Sequence, residues 1–125
     1  MKEYKVGKYT VKESTDGDKL WYLNGERHRE DGPAIEYANG TKYWYLNDKL
    51  HREDGPAKEY ANGNKSWWIN NTLHRENGPA IEYANGNKLW YLNGKKLTEF
   101  EFNAIDIFKN ITSRKIINAI NELEI

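Results

Sequence analysis

The chain contains no cysteine, so disulfides are excluded as a source of stability and thiolates as metal ligands. It also lacks any apolar run near the roughly 18 residues that a membrane-spanning helix needs, and no charged-then-apolar leader opens it. Both absences point to a soluble, cytoplasmic protein without membrane contact. An excess of either charge is missing too. Nineteen basic and nineteen acidic residues cancel and are interspersed, which leaves no electrostatic footprint for duplex nucleic acid. Proline is scarce, with three in the chain, each set between a glycine and an alanine. Against this otherwise polar background stand five Trp and nine Tyr. Such a load suggests thin layers of large amphipathic rings rather than a thick aliphatic core.

The chain's main feature is a period. His28, His51 and His74 stand 23 residues apart, as do Arg29, Arg52 and Arg75, Gly32, Gly55 and Gly78, and Pro33, Pro56 and Pro79. The aromatic segments 20–23, 43–46, 66–69 and 89–92 keep the same step. A period in this range marks a supersecondary unit that buries its apolar surface by stacking on its neighbours. With 125 residues the whole is one domain. It divides into an N-terminal hairpin cap over 1–15, repeats over 16–97 and a helical segment over 98–125.

Each unit reads as an antiparallel meander. Residues 34–38 form a strand, Asn39-Gly40 a two-residue turn, 42–46 a second strand, Asn47-Asp48 another turn, and 50–53 a short extended segment. Asp54-Gly55-Pro56 then leads into the next unit, with the glycine expected to supply an unusual backbone conformation and the proline a fixed one. Asn62-Gly63, Asn70-Asn71, Asn85-Gly86 and Asn93-Gly94 continue the scheme. Ahead of the repeats, strands over 3–6 and 9–13 meet at Gly7-Lys8, a pair suited to a type II′ turn. Asp16-Gly17 and Asn24-Gly25 are type I′ signals on either side of the first aromatic strand. The first unit thus keeps only its second half, as a terminal cap does. The expected fold class is mainly β, an elongated antiparallel sheet of stacked hairpin repeats with a helical cap.

Alternation along a strand sorts the aromatic residues onto two faces. Trp21, Trp44, Trp67 and Trp90 share one with Leu23, Leu46, Ile69 and Leu92. All are large and apolar, so this is the expected buried face. The other carries Leu20, Tyr43, Ser66 and Leu89 with Tyr22, Tyr45, Trp68 and Tyr91, and it is the expected binding surface. After Leu97 the period stops. Thr98 and Glu101 form a capping-box signal, Phe100, Phe102, Ala104, Ile105, Ile107, Phe108 and Ile111 recur at helical spacing, and a second helical pattern of Ile116, Ile117, Ile120 and Leu123 begins after Ser113. These helices are expected to cover the apolar edge of the last repeat.

Two features of the repeat carry a resemblance. The run Gly55-Pro56-Ala57-Lys58-Glu59-Tyr60-Ala61-Asn62-Gly63, followed by Trp67-Trp68-Ile69-Asn70, resembles the MORN-type repeat, especially its variant in antitoxin-like YwqK proteins. The version beginning His51-Arg52-Glu53-Asp54 is similar to repeats of bacteriophages and large DNA viruses. The resemblance covers roughly residues 16 to 97. It implies β-hairpins stacked in one elongated sheet, and a role in scaffolding and protein binding rather than catalysis. By the same resemblance the protein is a phage accessory or counter-defence factor that occupies a host protein in the host cytoplasm.

The residues able to carry chemistry do not converge on one place. Strands lie about 4.8 Å apart, so equivalent positions of neighbouring units are roughly 10 to 14 Å apart, whereas zinc ligands lie about 2.0 to 2.2 Å from their ion. His28, His51 and His74 therefore cannot share a metal, and neither a metal nor an organic cofactor is expected. The His-Arg-Glu trios are read as structural columns, as are the four tryptophans of the first face. Glu36, Glu59 and Glu82 form a further column, expected to pair with Arg29, Arg52 and Arg75 or with lysines of the next strand. No phosphate-cradling loop, nucleophile elbow or carboxylate pair is present. The candidate binding residues are Tyr22, Tyr43, Tyr45, Trp68 and Tyr91, with Tyr37, Tyr60 and Tyr83 beside them, flanked by Arg29, Arg52 and Arg75. This composition is enriched in protein interfaces. A protein partner is the first expectation, with a homo-oligomer left open. The alternative is a nucleotide-sequestering protein that stacks bases on the same aromatics.

Overall fold

A computed structural model describes residues 1–123; the expected helical segment's last two residues, Glu124 and Ile125, lie outside the described residues. Among the described residues the chain forms fifteen antiparallel strands followed by one helix. The strands are β1 (Lys2–Val6), β2 (Tyr9–Glu13), β3 (Lys19–Leu23), β4 (Glu26–Arg27), β5 (Ile35–Glu36), β6 (Lys42–Tyr43), β7 (Tyr45–Leu46), β8 (Lys49–Leu50), β9 (Lys58–Glu59), β10 (Lys65–Ser66), β11 (Trp68–Ile69), β12 (Thr72–Leu73), β13 (Ile81–Glu82), β14 (Lys88–Leu92) and β15 (Lys95–Leu97). The helix α1 spans Glu99–Leu123. The main sheet runs β1-β2-β3-β5-β6-β9-β10-β13-β14-β15, with β4 on β3, and β7-β8 and β11-β12 are separate hairpins. The mainly β, meander-like architecture is thus as the repeat pattern predicts.

The expected strand over 42–46 is divided at Trp44. Its first half, β6, belongs to the main sheet, and its second half, β7, pairs with β8. At the division the Trp44 N–H donates to the Ala57 carbonyl and the Trp44 carbonyl accepts from His51 N–H, and Trp21 and Trp67 do the same with Ala34 and His28 and with Ala80 and His74. The hairpins stack on one another through further backbone bonds, Arg29 and Arg52 N–H to the Tyr45 and Trp68 carbonyls and Asn71 N–H to that of Leu50. One repeat therefore contributes to two ladders. The core lies where they meet, built from Ala34 and Ile35 beside the main sheet and Tyr45 and Leu50 of the hairpin, with Trp21, Tyr43 and Trp68 packed against them.

Strand register sorts the main sheet into two rows. One row reads Lys19, Glu36, Lys42, Glu59, Lys65, Glu82, Lys88, strictly alternating in sign because each strand pairs lysine with glutamate. Opposite charges facing across strands are worth about 0.2 to 1 kcal/mol each. A one-residue slip would set these charges opposite the other row, so the ladder fixes register. That other row, Leu20, Ile35, Tyr43, Lys58, Ser66, Ile81 and Leu89, faces the core.

Two kinds of turn close the hairpins. Asn24-Gly25, Asn47-Asp48, Asn70-Asn71 and Asn93-Gly94 have positive φ at both residues, the type I′ geometry expected of Asn24-Gly25. Gly7 at +57° with Lys8 at ordinary φ fits the type II′ turn. The other Asx-Gly pairs differ from expectation. Only Gly17, Gly40, Gly63 and Gly86 are left-handed there, while Asp16, Asn39, Asn62 and Asn85 are not. Gly40 N–H donates to the Tyr37 carbonyl and Tyr37 N–H to that of Thr41, so Ala38-Asn39 make the turn and Gly40 is a bulge behind it. Asn39 Oδ1, accepting from Thr41 N–H, favours this longer loop over the two-residue one.

Helix α1 starts as its capping box predicts, with Thr98 Oγ1 accepting from Glu101 N–H and Glu101 Oε1 accepting from Thr98 N–H. It is one helix rather than the expected two, because Thr112-Ser113-Arg114-Lys115 contains neither proline nor glycine to stop it. As a cap it acts through its first turns, where Phe102 is its buried residue. Phe100, Ile107, Phe108 and Ile111 are exposed. No helix among the described residues is long and apolar enough to cross a membrane.

Candidate functional site

Each His-Arg-Glu unit builds a loop from its own side chains. The Arg29 guanidinium carbon lies 3.7 Å from the Trp21 ring centroid, Arg52 3.9 Å from that of Trp44 and Arg75 3.8 Å from that of Trp67. From this stacked position Arg52 donates to the Pro56 carbonyl at 3.1 Å, Glu59 Oε1 at 3.2 Å and Asp54 Oδ1 at 3.0 Å. Arg29 and Arg75 do likewise with Pro33 and Glu36 and with Pro79 and Glu82. The glutamate column thus pairs with the arginines and, by register, with the lysines. The loop glycines serve space rather than conformation. Gly32, Gly55 and Gly78 do not have positive φ, but a Cβ on Gly55 would lie 2.8 Å from the Arg52 guanidinium carbon.

The histidines hold the next unit. His28 Nδ1 accepts from Asn47 N–H at 2.8 Å, His51 Nδ1 from Asn70 N–H at 3.1 Å and His74 Nδ1 from Asn93 N–H at 2.9 Å. With Nδ1 as acceptor the proton sits on Nε2, which faces Glu30, Glu53 or Glu76 at 3.4 to 3.5 Å. Each imidazole so stitches one loop to the type I′ turn 19 residues on.

Burial does not divide the two faces as expected. Tyr45, named as a binding residue, is buried at 8% exposure and Ser66 at 7%. Trp44, Trp67 and Trp90, expected to be buried, are half-buried. Trp21 is half-buried as well, packed against the core cluster and edge-on to Tyr9 at 5.5 Å, with an indole N–H that is buried without an acceptor among the described residues. The reason is that the arginine loops fold back over the tryptophan face and leave gaps between themselves, whereas on the tyrosine face Tyr45 closes against Ile35 and Leu50.

Those gaps are grooves. One of about 660 Å³ lies between the loops 29–33 and 51–54, floored by Trp44 and Leu46. The next, about 750 Å³, lies between 52–55 and 74–77, floored by Trp67 and Ile69. A third, about 440 Å³, runs between 76–79 and α1 and includes Trp90 and Phe102. The helix stands where a further loop would be. Volumes of 300–1,000 Å³ are typical of ligand sites.

The tyrosine face retains a partly open margin. Tyr43 stands edge-on between Tyr37 at 5.5 Å and Tyr60 at 5.8 Å, and the Lys58 ammonium lies over both Tyr43 and Trp68. Burial pushes the Tyr43 phenol up to about 12. Tyr22, Trp68 and Tyr91 are half-buried, and the Trp68 indole donates to Ser66 Oγ at 2.7 Å. Arg29, Arg52 and Arg75 do not flank this strip but lie on the opposite face, with side chains 18 to 22% exposed. The groove floors are visible in the sequence as a column, and the acidic residues after each arginine, Glu30-Asp31, Glu53-Asp54 and Glu76, are the signal for their rims. Compared with protein-family models, curated proteins and solved structures, the chain matches none.

Proposed function

We propose that this protein is a non-enzymatic repeat module that binds another protein through its row of tryptophan-floored grooves. The observation that carries this reading is the repetition itself. The same half-buried indole, aliphatic neighbour and polar loop recur once per repeat, which suits an extended contact and not a single reacting centre. Half-buried aromatic side chains at the bottom of solvent-open grooves are also the usual anchors of protein interfaces. The MORN-type resemblance, and with it a phage accessory or counter-defence role against a host protein, belongs to the same proposal. A nucleotide sponge is the weaker reading, because the arginines that would hold phosphates are already bonded to Glu36, Glu59 and Glu82. The test is affinity capture from a bacterial lysate with the wild type and a Glu53→Lys, Asp54→Lys variant in parallel, both side chains being largely exposed. A polypeptide retained by the first and lost from the second supports the reading. An ultraviolet-absorbing small molecule released on denaturation, with no polypeptide, favours the sponge.

A further inference from the structure

The chemistry of the partner follows from the groove rims. Around the first groove stand Glu30, Asp31, Glu53 and Asp54, with side chains 55, 77, 83 and 87% exposed; around the second, Glu53, Asp54 and Glu76, the last 74% exposed. The cations in the same walls are turned inward. Arg29, Arg52 and Arg75 lie flat on their tryptophans, and their Nη1 groups bond the Glu36, Glu59 and Glu82 carboxylates. Through Nε, Arg29 and Arg52 also hold one oxygen each of Asp31 and Asp54, whose side chains stay largely exposed. Lys8 reaches Glu30 from the edge of the first groove and neutralises part of its charge. A guest therefore meets carboxylates at the entrance and an indole beside Leu46 or Ile69 at the floor. Lysine and arginine fit that profile, with an apolar stem for the floor and a cation for the rim.

Spacing narrows the guest further. Neighbouring grooves are one repeat apart, which is two strands of the main sheet, or roughly 10 Å at about 4.8 Å per strand. A polyproline II segment presents the same edge every third residue, about 9.3 Å along its axis. An extended β-strand returns to the same face after about 6.7 Å and falls out of step. We propose that this face binds an extended basic segment of another polypeptide, its lysine or arginine side chains three residues apart entering successive grooves. The inference rests on the protein-binding reading and names the partner class for it.

Fluorescence anisotropy with labelled proline-rich peptides of equal length tests it, the basic residue placed at every second, third or fourth position, beside an acidic peptide and a single-stranded oligonucleotide. The third-position peptide binds tightest, and its affinity falls about tenfold or more in the Glu53→Lys, Asp54→Lys variant and declines as salt is raised. In ¹⁵N spectra the Trp44 and Trp67 indole signals move on binding, while that of Trp68, bonded to Ser66 on the other face, stays in place. Equal binding at every spacing, indifference to the variant, or preference for the acidic peptide or the oligonucleotide overturns the proposal. If no basic peptide binds but a lysate polypeptide is retained by the wild type and lost from the variant, the basic-segment proposal falls while the groove-binding reading stands. If neither binds, both fall.

Discussion

At the scale of single residues, the repeat is a set of side chains that each solve a neighbour's problem. Arg52 covers one side of Trp44, satisfies the Pro56 carbonyl and occupies the space where Gly55 would carry a Cβ. Gly55→Ala should therefore dislodge the guanidinium and lower stability by about 1 to 3 kcal/mol, the range for leaving a hydrogen-bonding group such as the Pro56 carbonyl without its partner. In an Arg52→Ala background the same change should cost much less, a coupling that a double-mutant cycle by urea unfolding reads directly. The two faces give a second outcome. Tyr45→Ala should cost roughly 3 to 5 kcal/mol, a large share of the roughly 5 to 15 kcal/mol that holds a domain together. Trp44→Ala should cost less in the same unfolding assay, since its indole is half-buried beside an open groove. Ionisation adds a third. Burial raises the Tyr43 phenol to about 12 and raises that of Tyr45 as well. A phenol whose folded pKa lies above its unfolded value, near 10, stabilises the fold below that value and loses its contribution as pH rises. Unfolding followed by circular dichroism should thus begin above about pH 10, with part of the phenolate absorbance appearing only in that transition.

At the scale of elements, the sequence announces the hairpins and conceals how they are shared. The period of 23, the Asx-rich turns and the capping box at Thr98 are all local signals, and strands and helix appear where these place them. Parity also groups the aromatic residues correctly into two faces. What parity does not say is which face is covered, and size suggested the tryptophans. The answer depends on a non-local event, the division of the 42–46 run at Trp44, which brings Tyr45 against Ile35 and Leu50 and leaves the indole to the arginine loop. The Asn39-Gly40 turn differs from expectation for a smaller reason, since one bulged residue changes the loop without changing the composition. Helix α1 departs furthest from expectation, because only Phe102 is buried and residues beyond its first turns are not needed by the sheet. A chain ending after Phe108 should keep the near-ultraviolet circular dichroism of the full chain and melt within a few degrees of it. Loss of the folded signal would mean that the distal helix carries part of the core.

At the scale of the whole molecule, two alternating ladders run the length of the sheet with different consequences. The Lys-Glu row from Lys19 to Lys88 fixes the pairing of strands, and the loops above it repeat an acidic rim and an indole floor at a constant step. A surface built this way gains affinity by engaging several equivalent grooves at once, each contact raising the effective concentration of the next. On the proposed function, binding resides on this tryptophan face and not on the tyrosine face or the exposed side of α1. Hydrogen–deuterium exchange of the full chain, with and without a polypeptide retained in the affinity capture, tests that placement. The expected result is added protection over residues 28–33, 51–56 and 74–79, in step with the repeat, and little change around Tyr37, Tyr60 and Tyr83. Protection confined to those tyrosines or to α1, with the three loops exchanging as before, would contradict it.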